Sequence, residues 1–372
     1  MTTLHYSIEN TGGIFTPALI VFPELVERNL ESMIRIAGRP DRLRPHCKTH
    51  KIAEVTGLEL ARGIVKHKCA TLAEAEMLAT AGVRDIFLAY NLVGPNIQRA
   101  VRLLQAYGGI RLAVTADHPQ PTAALGAAMH HRGLSVDVLL DLDTGMHRTG
   151  LAAGSEARTL YEQIAATPGL APGGLHVYDG HNHQTCVAER RAAVHAAWDR
   201  IIAFRDELVS AGLPVPRVVA GGTGTFPIYA AIDDPTLELS PGTCVFHDAG
   251  YTAAYPDLRF DVAAVLLTRV VSRPGPDRVT LDLGYKACAS DPPAGQRLVF
   301  PVLPDAQQVL QNEEHLVLQT PLASRFQPGD ELIAIPWHIC PTTALHKQVY
   351  VVAGGRVVGR WDVSARDRQL TV

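Results

Sequence analysis

From Pro17 to Gly222 the chain keeps one rhythm: short apolar runs alternate with longer stretches whose apolar residues recur at helical spacing. The runs begin with PALIVF at Pro17, RLRPHCK at Arg42, GIVKHKCA at Gly63 and DIFLAYN at Asp85. GIRLAVTA at Gly109, SVDVLLDLD at Ser135, GGLHVYDGH at Gly173 and PRVVAGG at Pro216 complete the set. Between the first two, Leu25, Val26, Leu30, Met33, Ile34 and Ala37 mark a helical face. Further on, Thr71 with Glu74 three residues later reads as a capping box. Eight strand–helix units of about thirty residues each match a (β/α)8 barrel in count and length, with a doubly wound open sheet as the competing arrangement. From about Asp257 the long helical stretches stop. FDVAAVLLTRVVSR, DRVTLDLG, HLVLQT, DELIAIPWH and KQVYVVAGGRVVGRWDV are strand-like runs broken by Pro and Gly. The expected architecture is therefore α/β: a barrel over residues 14–255 and a mostly β domain over residues 256–372, joined by residues 1–13.

With 372 residues and 47% hydrophobic content the chain can bury a large core, and its size favours two domains. A net charge of −3 argues against nucleic-acid and membrane-surface roles, although a local basic pocket can sit in an acidic protein. No run approaches the ~20 apolar residues of a membrane span, and MTTLHYSIENTGG has no charged-then-apolar signal pattern. A cytoplasmic location is the expectation. Cys47, Cys69, Cys186, Cys244, Cys288 and Cys340 form no CxxC pair and read as free thiols.

A barrel places functional side chains just beyond the C-terminal ends of its strands. Lys48, Asp143, Arg148, Tyr178, His181 and the glycines from Gly221 to Gly224 all fall there. In RLRPHCKTHK, Leu43, Pro45, Cys47 and Thr49 alternate with basic residues, as a strand would arrange them, so several cations share one wall. A lysine placed among cations and partly withdrawn from water is nucleophilic toward carbonyls, which marks Lys48 as a Schiff-base lysine. A solvated basic turn is the plain alternative. In AGGTGTFP, from Ala220 to Pro227, glycines let amides approach an anion and Thr223 and Thr225 add hydroxyls, so the loop suits a phosphate. It lacks the lysine of a nucleotide-hydrolysing loop. DLDTGMHRTGL places Arg148 in a glycine-bounded loop, where its fork of donors suits a phenolate or carboxylate; a helix-capping loop is the alternative. In IPWHICPT, His338 and Cys340 stand at i and i+2 of an expected strand and face the same way, a minimal pair for Zn2+; a core histidine beside a core cysteine is the other reading. His315 and His346 are weaker candidates.

The ordered set PHCKTHK, DTGMHRTG, YDGH, GGTGT, SPGTCVF and NEEH with WHICPT resembles the fold-type III pyridoxal-phosphate enzymes, in particular the D-threonine aldolase and D-serine dehydratase group. The resemblance runs from about Thr16 to the C-terminus and implies an alanine-racemase-type barrel followed by a β domain. By position it implies that Lys48 carries pyridoxal 5'-phosphate and that Arg148 contacts the ring oxygen. Tyr178 and His181 would line the ring. Gly222, Thr223, Gly224 and Thr225 would hold the phosphate, with Tyr251 adding a hydroxyl. His338 and Cys340 match the group's metal pair. Some aldolases of the group carry a carboxylate where Cys340 stands, and a thiolate favours zinc over manganese or magnesium.

The implied activity is a metal-dependent lyase acting on D-3-hydroxy amino acids, splitting D-threonine-like substrates into glycine and an aldehyde. A D-serine or D-3-hydroxyaspartate dehydratase giving a 2-oxo acid and ammonia is the alternative, and His-x-Cys leans slightly toward it. From a different class comes a non-catalytic pyridoxal-phosphate binding protein, which would not need His338 or Cys340. A metal-dependent hydrolase is a third reading, and it predicts no visible cofactor absorption. The resemblance also implies a homodimer.

Overall fold

The computed structural model describes residues 6–372. By contact the chain divides into two units: residues 32–48, 53–242 and 367–372 form one, and residues up to 31 with 49–52 and 243–366 form the other. Residues 14–31 and 243–255, expected in the barrel, thus belong with the β-rich unit. The last six residues belong with the barrel.

In the first unit seven parallel strands lie side by side in chain order. They are Lys66–Cys69, Asp85–Asn91, Arg111–Ala116, Val136–Leu142, Leu170–Val177, Val218–Ala220 and Leu237–Leu239. Leu43 bridges Leu239 and His46 bridges Lys68, both in parallel sense, so the Leu43–His46 segment joins the two edges and closes the ring. Arg44 N donates to Leu239 O, His46 N to Pro241 O and Lys68 N to Pro45 O. The barrel count of eight holds, but its members differ from the expected ones. The run beginning at Pro17 is not among them, and Leu237–Leu239, too short to show any period, takes the last place.

Phe87, Ala113, Leu139 and Val219, from four of these strands, pack together inside. The helices between strands follow their sequence signals. Glu74 N donates to Thr71 Oγ1 at 3.1 Å, which caps the helix Leu72–Thr80 as expected, while Glu74 Oε2 reaches one residue past the cap and accepts from Ala70 N at 2.6 Å.

Arg44 corrects the idea of a shared basic wall. Its side chain is 0% exposed; Nε donates to Glu238 Oε2 at 2.5 Å and Nη1 to Asp85 Oδ1 at 2.7 Å. Burial would raise the Asp85 carboxyl, but Arg44 and Arg111 override it and hold it at about 2. Glu238 is likewise held below its usual range, against its burial, by Arg44 and Lys66. Arg42 donates to the carbonyls of Ala37, Ala230 and Ile232. Both arginines serve the frame, because the strand alternation turns Arg44 into the protein and the chain leaves the extended form at the 3-10 turn Cys47–Thr49.

In the second unit, Ala18–Val21 pairs antiparallel with Ala264–Leu267 and parallel with Tyr350–Val351. Around it run Gln307–Gln311, Leu316–Gln319, Arg278–Leu281, Ala264–Gly275, Gln348–Ala353 and Arg356–Asp362, with Glu331–Pro336 along the long central strand. Ala18–Val21 is buried throughout, like the barrel strands, so its composition does not tell which sheet receives it. Within the N-terminal dozen, Glu9 bridges Arg356 of this unit; Met1–His5 lie outside the described residues.

Candidate functional site

A cavity of about 550 Å³ opens in the barrel unit. Lys48, Lys68, Asp141, Arg148, His176 and Tyr178 are among its lining residues. Lys48 follows the closing segment directly, in the Cys47–Thr49 turn, and its amide donates to His46 Nδ1 at 3.3 Å. Its Nζ makes no ion pair or hydrogen bond among the described residues, which leaves an amine free in the cavity. The Arg148 guanidinium lies 4.9 Å from the Tyr178 ring centroid. The loop that presents Arg148 is built by Asp143, whose Oδ1 accepts from Gly145 N and His147 N. Gly150 closes it at φ +93, where a Cβ would stand 2.8 Å from Asp143 N, so only glycine fits.

The glycine loop follows the strand Val218–Ala220. Gly222 N donates to Thr225 Oγ1 at 3.1 Å, and Thr225 Oγ1 donates to Asp179 Oδ1 at 2.8 Å. Thr223 Oγ1 accepts from Gly242 N at 3.2 Å. Thr225 thus spends its hydroxyl proton on Asp179, while Thr223 Oγ1 accepts and keeps its own proton to donate. The buried amides of Thr223 and Gly224 donate to no backbone carbonyl among the described residues, and with the Thr223 hydroxyl they are donors left for an anion. A Cβ on Gly222 would come within 3.2 Å of the Tyr178 ring, so the bare glycine keeps the space between loop and ring open. His181 packs on Gly145, its Nε2 3.3 Å from where a Cβ there would stand, and its buried Nδ1 has no partner among the described residues. Lys48, Arg148 and Tyr178 thus share one cavity, with Gly222 against Tyr178 and Thr225 bonded to Asp179 beyond it.

Three groups of the cavity were not singled out from the sequence. Lys68, on the strand Lys66–Cys69, is 3% exposed. Burial first, then Lys48 and Arg148, drive its ammonium down to about 7 against the pull of Asp141 and Asp179. His176 Nδ1 lies 2.7 Å from Asp141 Oδ1, and burial and then Lys68 keep the imidazole from protonating in its usual range. In KHKC and GLHVYDGH the only available signal was a charged or polar residue at an inward register position of a barrel strand.

The other three expected residues lie in the β-rich unit. His338 and Cys340 are not on a strand: Glu331–Pro336 ends before them, His338 caps the helix Ile339–Leu345, and Cys340 is in its first turn. The two side chains still meet. Burial would lower the His338 imidazolium, but contacts with Cys340 and Asp291 raise it to about 9. His338 Nδ1 is 2.5 Å from Asp291 Oδ2, which leaves Nε2 for another partner, while Cys340 Sγ lies 3.2 Å from Thr49 Oγ1. Among the described residues no group of three or more His, Cys, Asp and Glu side chains is arranged to hold a metal, so this pair stands as two ligands and no cage. His346 Nε2 meets Ala287 O at 2.8 Å, as a packed histidine does.

Tyr251 sits in the helix Ala249–Ala254, its ring against His247 and Tyr255. Asp248 caps that helix through Tyr251 N at 2.8 Å and the His338 helix through Ile339 N at 3.0 Å. Asp248→Ala is expected to lower stability by about 2 kcal/mol, roughly one for each lost cap, and Asp248→Asn by less. Urea unfolding midpoints of the two variants check this; equal midpoints would show that neither cap matters.

Comparison with known proteins also divides the chain in two, with bounds that count residues 23–31 and 243–249 with the barrel. The alanine racemase N-terminal domain matches residues 23–249, and the serine dehydratase domain matches residues 263–352. A D-threonine aldolase of Arthrobacter sp is 33% identical over 94% of this chain and 92% of its own. The crystal structure of D-threonine aldolase from Filomicrobium marinum superposes with a TM-score of 0.88 at 30% identity, over 95% of this chain and 96% of that one. D-threo-3-hydroxyaspartate dehydratase from Delftia sp. HT23 superposes with a TM-score of 0.79 at 26% identity, over 94% of this chain and 97% of that one. Mutants of a D-threo-3-hydroxyaspartate dehydratase, each 25% identical to this chain, have been solved with histidine changed to alanine and, in a metal-free form, with cysteine changed to alanine two positions further on.

Proposed function

The chain belongs to the alanine-racemase-like, fold-type III pyridoxal-phosphate family of the D-threonine aldolases and D-serine dehydratases, and from that premise we propose that it is a lyase cleaving D-3-hydroxy amino acids of the D-threonine type to glycine and an aldehyde. The observation that carries the reading is the unpaired amine of Lys48 in a cavity that also holds Arg148 and Tyr178.

The residues present fit pyridoxal 5'-phosphate. The unused amides of Thr223 and Gly224, in the loop with Gly222 and Thr225, suit its phosphate. Tyr178 and His181 would flank the ring, and Arg148 would face the ring oxygen as a fixed cation. Lys48 offers the amine that attaches the cofactor's aldehyde. Tyr251 is kept as a further hydroxyl donor on family grounds. When bound, the cofactor draws off the negative charge that develops at the substrate's Cα. The chain's own task is to orient the substrate so that the bond to be broken stands across the ring, and to keep water from it.

His338 and Cys340 are proposed as the metal pair. Asp291 on Nδ1 would fix the imidazole so that Nε2 faces the ion, the usual carboxylate–histidine–metal order. A divalent ion there supplies Lewis acidity toward the substrate's β-oxygen, and a thiolate ligand supports zinc, with manganese or magnesium less suited. His338→Ala is expected to lower turnover at least 100-fold, roughly the upper range of what even an outer partner of a metal ligand costs, with the visible cofactor band kept. Unchanged turnover would point to the non-catalytic binder. Six cysteines with no disulfide among the described residues support a reducing, cytoplasmic setting. No helix among the described residues is long and apolar enough to cross a membrane. A homodimer is proposed on family grounds alone.

One observation favours the dehydratase as a second reading: His338 and Cys340 have the same residue types and spacing as the two positions mutated in D-threo-3-hydroxyaspartate dehydratase. Incubating the protein with D-threonine, pyridoxal 5'-phosphate and Zn2+ and identifying the products separates the two. Glycine and acetaldehyde support the aldolase; 2-oxobutanoate and ammonia establish the dehydratase.

A further inference from the structure

We propose that Lys68 is the proton acceptor for Lys48 and that the Asp141–His176 pair positions it, an inference that rests on the cofactor reading above. A lysine is rarely buried without a carboxylate in contact. Lys68 is 3% exposed, makes no ion pair among the described residues, and has the rings of Phe87 and Tyr178 at 6.0 and 5.5 Å from its Nζ. It lines the same cavity as Lys48. The charged and titratable groups that act on it come from every side: Lys48 after the closing segment, Asp141 on Val136–Leu142, Arg148 in the loop beyond, His176 on Leu170–Val177 and Asp179 after that strand. Their balance leaves it neutral a large part of the time near pH 7.

His176 supplies the second observation. His176 is 4% exposed, Asp141 Oδ1 accepts a hydrogen bond from its Nδ1 at 2.7 Å, and Nε2 is buried without a partner among the described residues. With Nδ1–H donating to the carboxylate, Nε2 carries the lone pair and is an acceptor. An amine attacks an aldehyde only when neutral. In the proposed transfer an N–H bond of the Lys48 ammonium breaks and an N–H bond of Lys68 forms, so the charge of the cavity does not change. The new ammonium is then favoured by Asp141 and Asp179 and can donate toward His176 Nε2. A purely structural Lys68 would only balance those two carboxylates, and any cation of similar reach would serve.

The test uses the full chain stripped of cofactor. Pyridoxal 5'-phosphate is added at a series of pH values, and the growth of the visible band is followed, with borohydride fixation and mass mapping of Lys48. The wild-type rate is expected to rise through a step near the Lys68 value of about 7. Lys68→Met should lose that step and load about 100-fold more slowly at neutral pH, roughly the loss of one proton-transfer group at its weakest. Lys68→Arg keeps the charge but cannot release its proton, so it should behave like Lys68→Met. It also carries the test if the methionine variant does not fold. His176→Gln should move the step while still loading. An arginine variant with the wild-type rate and step would overturn the proposal and leave the cofactor reading standing. A wild-type protein that gains no band at any pH would overturn both.

Discussion

Lys48→Ala is expected to give a folded protein that shows no visible cofactor band and turns over at least 10⁴-fold more slowly, roughly the loss seen when a covalent-catalysis nucleophile is removed. The reason lies in what Lys48 does and does not touch. Its Nζ takes no part in an ion pair or hydrogen bond among the described residues, so truncation leaves no buried partner stranded. Its stability change should stay near the ±0.5 kcal/mol of an ordinary surface substitution. Absorption, turnover and a urea unfolding curve on one preparation check all three points. A retained band would mean that another amine of the cavity captures the aldehyde, and Lys68 would be the first to examine.

Arg44→Met should have the opposite profile, with a large loss of stability arising far from any reacting atom. Asp85 and Glu238 are largely buried and both depend on this guanidinium. Removing one partner of a buried ionic cluster costs about 3–5 kcal/mol, chiefly because the remaining charges stay desolvated. The pH dependence has a definite sign. Asp85 has a folded value of about 2, below the roughly 4 of an unfolded carboxyl, so its contribution is present above about pH 4 and lost as pH falls toward 2. Glu238 is shifted in the same direction. The gap in urea midpoint between wild type and Arg44→Met should therefore be largest near neutrality and narrow at pH 3. A constant gap would show that Arg44 acts through packing and not through its charge.

Where neighbouring residues decide the local geometry, the sequence was readable. Gly221 to Thr225 form a loop with spare amides, Thr71 and Glu74 cap their helix, and Lys48 ends up free in a cavity with Arg148 and Tyr178. Where distant partners decide, it was not. Ala18–Val21 carries the same apolar composition as a barrel strand, and only its pairing with Ala264–Leu267 assigns it to the other sheet. Leu237–Leu239 is recognisable only through Val218–Ala220 and Leu43 beside it. Arg44 read as one cation among several because Asp85 and Glu238 are far away in sequence. Lys68 was passed over for the same reason, since its unusual surroundings are assembled from Asp141, Arg148 and Asp179. For His338 and Cys340 the strand geometry was wrong, yet a helix cap followed by a first-turn residue brings the two side chains together as well.

The central claim is that the Lys48 amine of the barrel cavity carries pyridoxal 5'-phosphate for cleavage of a D-3-hydroxy amino acid. Its most direct test is borohydride reduction of the purified protein, peptide mapping of the fixed pyridoxyl group, and a parallel assay of unreduced protein with D-threonine. The pyridoxyl group on the peptide holding Lys48, together with glycine and acetaldehyde from the unreduced sample, is the predicted result. A pyridoxyl group on any other lysine, or none at all, would contradict it.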